Sequence, residues 1–399
     1  MNSTSLHFEI KGVDFINKGS YLMMLTIIDH LHQKYPSSKF GLSIMRGSFS
    51  ERNKHNLYHI LRYESKRFTL LNNLLGFGFL IPKLLRKYYN ILLDSDIDVV
   101  LDASGFQYSS QWGFKETKLM AKWSQSWNEK GKKIILMPQA FGPFNENEIK
   151  SYMMEIINNC HLIFARDKTS FNYLYKIIST KKNEQKIYLS PDFTNLYKAK
   201  INVNKMIRDK KVCIIPNYRM IDKMNDNSYS YIKFLLLLIE YFNTNNIAFY
   251  FLIHSSGEIN SINSDMEIIN ILLREIPKVQ FPILELSDPI AIKNKLADAK
   301  FIISSRFHGL INGLSQNVPS VATSWSHKYV ELMETYNLGY LCIKNLSIRS
   351  EIIRLLNKLN NEKELNAIIH NLKIKNELLK NKTNQMWKII DNEIIRSLS

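Results

Sequence analysis

The chain has 399 residues, too many for one small module and, at about 150 residues per domain, enough for two. Hydrophobic residues make up 45% and charged residues 22%, with only 14 glycines and 10 prolines, which excludes collagen-like repeats and wholesale disorder. A net charge of +17 favours anionic partners: phosphates, acidic glycans, nucleic acid or anionic lipid.

Strand-length apolar runs alternate with amphipathic helix-length segments almost to the end, the pattern of α/β architecture with parallel sheets. In the first half, strands are expected over 8–13, 40–45, 98–103, 133–138, 162–165 and 186–189, and helices over 20–34, 114–130, 146–158 and 168–177. Around 197–211 the long apolar runs stop and lysines accumulate, before a new strand at 212–216 restarts the alternation. A domain boundary is therefore expected near residue 200. The second half offers strands over 249–253, 301–304 and 320–323 and helices over 229–243, 264–276, 289–299 and 307–316. It closes in charged helical segments from 347 onward, one of which is free to fold back across the first domain. The expected fold is α/β: two doubly wound Rossmann-like domains, 1–200 and 201–399, facing a central cleft. Ligands of such sheets bind on the loops just after the strands.

Two stretches come closest to a membrane span. Over 234–253 the apolar run is broken by Glu240, Asn243, Asn245 and Asn246, which reads as helix, turn and buried strand. Over 70–93 apolar residues mix with Pro82, Lys83, Arg86 and Lys87, which fits a helical hairpin better than an amphipathic surface helix with a basic rim. Cys160, Cys213 and Cys342 are odd in number and far apart, so neither a disulfide framework nor a CxxC site is expected, and a reducing cytoplasm fits. No secretory signal is expected from the first residues.

The chemistry-bearing motifs follow expected strands. Asn17-Lys18-Gly19-Ser20 precedes a helix, where glycine permits close backbone approach and free amides attract an anion, or where Ser20 is an N-cap. Asp102-Ala103-Ser104-Gly105 leaves room for substrate with small residues at a strand's exit. The preceding Asp94-Ser95-Asp96 mimics a DxD metal site but enters its strand, so a solvated turn is expected. Pro138-Gln139-Ala140-Phe141-Gly142-Pro143 is a rigid turn able to direct the Gln139 amide. Ala165-Arg166-Asp167 sends a strand into a guanidinium suited to carboxylate or phosphate, or into an ion pair or helix cap. Ser305-Arg306-Phe307-His308-Gly309 places a fixed cation two residues from an imidazole at a helix mouth, an arrangement for holding an anion beside a proton donor. Lys328 follows the next strand and adds a cation near the same rim.

In this succession, with Pro191-Asp192 between, the chain resembles the polysaccharide pyruvyl transferase family over roughly residues 8 to 340. The resemblance implies a GT-B-like fold and transfer of a pyruvyl group from phosphoenolpyruvate to sugar hydroxyls of a cell-surface glycan, making a ketal and releasing phosphate. It implies Arg166, Arg306 and His308 as catalytic residues, and Arg166, Arg306, Lys328, Ser305 and Gly309 as donor-binding residues. Asn17, Gly19, Ser104, Gly105, Gln139 and Asp192 are then expected on the acceptor side or lining the cleft. Some members carry an acid after the first loop's glycine, where this chain has Ser20.

Phosphoenolpyruvate is then the donor and a glycan or lipid-linked oligosaccharide the acceptor, with no further cofactor and no metal. The expected location is the cytoplasm, with peripheral association at the inner face of the cell membrane allowed by the basic charge. A nucleic-acid partner is not expected, because no aromatic RNA-binding motif or zinc-finger spacing is present. The competing readings are a GT-B glycosyltransferase using a nucleotide sugar and a non-catalytic glycan-assembly protein.

Overall fold

The alternating pattern builds two all-parallel sheets in a computed structural model that describes residues 5–62, 80–178, 180–197, 211–222, 228–255, 264–323 and 326–396. The first sheet holds β1 (His7–Lys11), β2 (Lys39–Ser43), β3 (Tyr58–Ile60), β4 (Ile91–Leu92), β5 (Val99–Asp102), β6 (Lys133–Gln139), β7 (Leu162–Ala165) and β8 (Ile187–Leu189). Their order is β4-β3-β2-β1-β5-β6-β7-β8. The second holds β9 (Val212–Ile215), β10 (Phe249–Ile253), β11 (Ile283–Glu285), β12 (Ile302–Ser304), β13 (Ser320–Thr323) and β14 (Cys342–Ile343), in the order β11-β10-β9-β12-β13-β14. Central strands such as Val99–Asp102 and Phe249–Ile253 are buried along their whole length, as strands covered by helices on both faces must be.

Each sheet reverses its winding once. The first runs outward from β1 to β4 and returns to β5, so its switch lies between β1 and β5; the second switches between β9 and β12. Crevices at such reversals are where open α/β sheets bind ligands, because neighbouring loops there leave in opposite directions.

Two compact units enclose these sheets: Met1–Phe15, Met23–Phe193 and Asn384–Ser399 form the first, and Ile16–Leu22 with Thr194–Thr383 the second. The helix Lys18–Lys34 thus starts in the second unit, and the helix Glu362–Ile395 ends in the first.

Several expectations need correction. The first helix begins at Lys18 and its cap is Asn17, whose Oδ1 accepts the Gly19 N–H at 3.0 Å; Ser20 lies inside the helix. Strands β3, β4, β11 and β14, each two or three residues long, were not expected. Asp94 is not a solvated turn residue: it pairs with Arg62 at 2.8 Å and with Lys130 and Lys132 at 3.1 Å, cations that hold its carboxyl well below the usual range against the opposing pull of burial. The stretch 234–253 is, as expected, helix then buried strand, and no helix among the described residues is long and apolar enough to cross a membrane. Of the stretch 70–93, residues 70–79 lie outside the described residues, and Lys83–Tyr88 forms one short exposed helix. All three cysteines are free and buried.

Candidate functional site

In the second unit the site grows from the exit of β12. Ser305 follows this strand, and its hydroxyl lies between those of Tyr231 at 2.8 Å and Thr323 at 2.6 Å. Its carbonyl accepts from Asn217 Nδ2 at 2.8 Å and from Tyr329 at 2.9 Å. These bonds pin the strand end to the loop after β9, across the sheet's switch point, and so fix where the next residue starts. Arg306 then turns the chain into the helix Phe307–Leu314, its N–H donating to Ser304 Oγ at 3.0 Å.

The Arg306 guanidinium meets Asp265 through two edges. Its Nε lies 3.2 and 3.1 Å from the carboxylate oxygens, and Nη2 makes a further short contact. Asp265 is fully buried at the start of the helix Asp265–Glu275, and also accepts the N–H of Ser255 at 3.0 Å and of Tyr218 at 3.4 Å. Burial pushes its carboxyl up, while Arg306 and those amides pull it back. One carboxylate thus ties together the loops after β9, β10 and β12. Nη1 of Arg306 makes no hydrogen bond among the described residues, which leaves that corner of the fork for an anion.

His308 is the second residue of the same helix and sits against Gly19. A Cβ at Gly19 would fall 2.6 Å from the His308 Cβ and closer still to the ring, so only glycine admits the imidazole there. The loop carrying Gly19 is stitched to the end of β10: Asn17 bridges Ser255, and the Lys18 N–H donates to the His254 carbonyl at 3.3 Å. The His254 ring is buried and has no hydrogen-bond partner among the described residues. Burial, then the neighbouring Arg306, His308 and Lys18, hold it well below its ordinary pKa, so it is a neutral imidazole among positive groups. Lys328 reaches the same turn: its Nζ stands 5.9 Å from the centre of the Phe307 ring, which separates Arg306 from His308 in sequence. Gly309 lies where helix meets strand, since a Cβ would approach Ser304 Oγ to 2.5 Å and Ile215 Cδ1 to 2.8 Å.

In the first unit a comparable set lines the exits of β5 to β8. Arg166 follows β7 with its side chain 3% exposed; its N–H donates to the Gln139 carbonyl at 3.1 Å, and Nη1 lies 3.5 Å from Asp192 Oδ2. Asp167 caps the following helix, accepting the Ser170 N–H at 2.7 Å. Gln139 is buried, with Nε2 3.4 Å from the Asp102 carbonyl and Oε1 without a partner among the described residues. The buried Asp102 accepts from the hydroxyls of Ser104 and Tyr108 in two short contacts and from the Ser104 N–H at 3.0 Å. At the switch point, Gly12 (φ +76°) lets β1's exit pass Ser104, whose Cα would lie 2.6 Å from a Cβ there. Gly105 is also left-handed, φ +74°, with open space where a Cβ would stand.

The structure therefore gathers Asn17, Gly19, Ser305, Arg306, His308, Gly309 and Lys328 in the second unit, and Ser104, Gly105, Gln139, Arg166 and Asp192 in the first. Three of these have a local packing role: Gly19 admits His308, Gly309 lets helix meet strand, and Ser305 braces the strand end. Asp265 and His254 escaped the sequence reading. His254 directly follows an expected strand, a usable signal; Asp265 is an acid in an ordinary helix first turn, and only the fold reveals its partner.

Solved structures share the fold at low identity. The UDP-GlcNAc 2-epimerase from Neisseria meningitidis matches with a TM-score of 0.59 and 12% identity over 97% of this chain and 99% of its own. A glycosyltransferase from Rickettsia africae matches at 0.57 and 16% over 98% and 99%. The UDP-GlcNAc 2-epimerase from Methanocaldococcus jannaschii matches at 0.54 and 14% over 90% and 94%. These similarities establish a GT-B-like fold. No curated protein matches the chain. The family model for polysaccharide pyruvyl transferase matches residues 17–327, a span that runs from the Asn17 loop through the Arg306–His308 turn to the helix bearing Lys328, and the chain therefore belongs to that family.

Proposed function

We propose that this protein moves a pyruvyl group from phosphoenolpyruvate onto two hydroxyls of a glycan sugar, forming a pyruvate ketal and releasing phosphate. The observation that carries the reading is the turn Arg306-Phe307-His308. A guanidinium steadied by Asp265 offers its free corner beside an imidazole that Gly19 alone admits. Phosphoenolpyruvate is small and multiply ionised, and each charge-assisted hydrogen bond to it is worth about 1.5–3 kcal/mol. Arg306 and Lys328 are assigned to its anionic groups, neutral His254 to donating a hydrogen bond, and Arg166 to donor binding on the family's pattern.

The reaction begins when His308, as imidazolium, delivers a proton to the methylene carbon of the enol ester. The methylene becomes a methyl group and the central carbon becomes electron-poor. One sugar hydroxyl adds to it, its proton returning to His308. The second hydroxyl then displaces phosphate, which carries away the remaining proton. Every step is proton transfer, addition or displacement steered by fixed charge, so acid, cations and alignment suffice. Gln139, Ser104 and Gly105 are assigned to the acceptor side.

Purified protein supplied with labelled phosphoenolpyruvate and candidate glycans should release phosphate in step with labelling of the glycan. Consumption of a nucleotide sugar in place of phosphoenolpyruvate would assign the chain to glycosyl transfer. His308→Ala should abolish turnover and keep donor affinity; unchanged turnover removes His308 from the acid role.

A further inference from the structure

Helix Lys83–Tyr88 in the first unit presents large apolar side chains to solvent: Leu84 is 82% exposed and Tyr88 78%, with Leu80, Leu85 and Tyr89 also exposed. Such side chains scattered singly need no explanation, but five within ten residues form a patch. Leu84 and Tyr88 stand four residues apart and share a helix face; Leu85 and Tyr89 repeat the spacing one step on. The Tyr88 and Tyr89 rings meet edge to face, centroids 4.9 Å apart. Lys83 and Lys87 are exposed on the flank of that patch, again four residues apart, while Arg86 turns inward to Asp96 at 3.5 Å and holds the helix to the turn before β5.

We propose that this patch docks the protein on an anionic lipid bilayer. Leucine and tyrosine beside lysines is the composition that inserts at a lipid interface, the rings at headgroup depth and the ammonium groups toward lipid phosphate. The charge complementarity chooses the occupant: two exposed lysines edge the apolar face of a chain whose net charge is +17, which favours a negative surface over a neutral one. Docking there would hold the chain beside glycans carried on lipid. The inference does not rest on the pyruvyl reading, because binding is read with no substrate present.

The test is co-sedimentation of the full chain with vesicles of phosphatidylcholine alone and of equal parts phosphatidylcholine and phosphatidylglycerol. The protein should partition onto the anionic vesicles and stay in solution with the neutral ones. The uncharged pair Leu84→Ser with Tyr88→Ser should lower the partition coefficient at least about tenfold, and Lys83→Glu with Lys87→Glu should do likewise. The same two reversals at the exposed Lys373 and Lys382 should have a much smaller effect. The exposed site makes the variants tolerable to the fold, and circular dichroism checks this. Equal loss from the Lys373 and Lys382 pair, or full binding by the serine pair, would reduce the effect to net charge and overturn the proposal. So would absence of binding, or a dimer in solution that the serine pair dissolves, which would give the patch to a second copy of the chain.

Discussion

Arg166 in the first unit and Arg306 in the second both leave buried parallel strands and both meet a buried aspartate, yet the two carboxylates come from different places. Asp192 lies just past β8, the strand next to β7, so the Arg166 pair links adjacent exits. Asp265 starts the helix after β10, two strands from β12, and holds Arg306 together with the N–H groups of Ser255 and Tyr218. The second unit also surrounds its arginine with His254 and His308. Under the proposed function, proton chemistry and its scaffolding fall in one unit, with Asp265 as a positioning residue on which three loops depend.

Replacing Asp265 should therefore have the largest effect. Asp265→Ala leaves the guanidinium without its buried counter-charge, and loss of one member of such a pair costs about 3–5 kcal/mol. Chemical denaturation should show a loss of that size. Asp265→Asn keeps one acceptor oxygen, enough for the Ser255 N–H but not also for the longer Tyr218 bond, which goes to the other carboxylate oxygen; it should fold, keep donor KM within about threefold and lower kcat at least about tenfold, the split expected when Arg306 is misaligned and not lost. Asp192→Asn gives the comparison: if it changes kcat in the same proportion, the two arginines are equivalent and the assignment of proton chemistry to the second unit loses its support.

Next come two glycines that look alike in sequence. Gly12→Ala must adopt φ +76° and meet Ser104, and Gly19→Ala must displace the His308 ring. Each should cost about 1–3 kcal/mol by overpacking and strain. Only Gly19→Ala should also shift the pH profile of kcat, since it moves an imidazole; a shift of equal size in Gly12→Ala would remove the special link between Gly19 and His308.

How much of this was legible follows from what each residue says locally. Arg306 and His308 announce themselves by following an apolar strand at a helix mouth, and the long central strands read as uninterrupted apolar runs. Asp265 does not, because its meaning is a contact made across β9 by residues far apart in the chain. The edge strands β4, β11 and β14 escape for a related reason: each is defined by pairing with a neighbour, not by any pattern of its own. Gly19 was legible as a close approach, but the approaching group is a side chain of the protein.

Acid should then test the two units at a smaller scale. In the first, burial and Arg52 lower the His59 pKa to about 4, and burial and Lys133 lower that of His161 to about 4. His59 accepts from Arg52 at 2.7 Å and His161 from the Ile134 N–H at 3.2 Å, bonds that need neutral rings. A folded pKa below the unfolded value means that stability is complete above pH about 6.5 and falls as pH drops toward 4, because the unfolded chain takes up the proton first. Each ring should cost about 1 kcal/mol by pH 5 after solvent screening. His254 in the second unit acts in the same direction. Tm followed from pH 7.5 to 4.5 should decline, and His59→Asn should flatten the curve; an unaltered slope would mean His59 carries none of it.

The smallest effects should come from the caps beside the two loops. Asn17 Oδ1 accepts the Gly19 N–H, and Asp167 accepts the Ser170 N–H with one oxygen and the Ser170 hydroxyl, at 2.9 Å, with the other. Ser170 in turn accepts the Phe141 N–H at 2.9 Å, so the Asp167 cap also steadies the turn after Gln139. Asn17→Ala should cost about 0.5 kcal/mol and Asp167→Ala about 1, both read by denaturant midpoint. Because Asn17 precedes the loop that faces His308, its loss should also lower kcat a fewfold at unchanged donor KM. If Asp167→Ala is the variant that alters kcat and Asn17→Ala the one that does not, the first unit holds the more sensitive alignment and the contrast drawn between the two arginines is reversed.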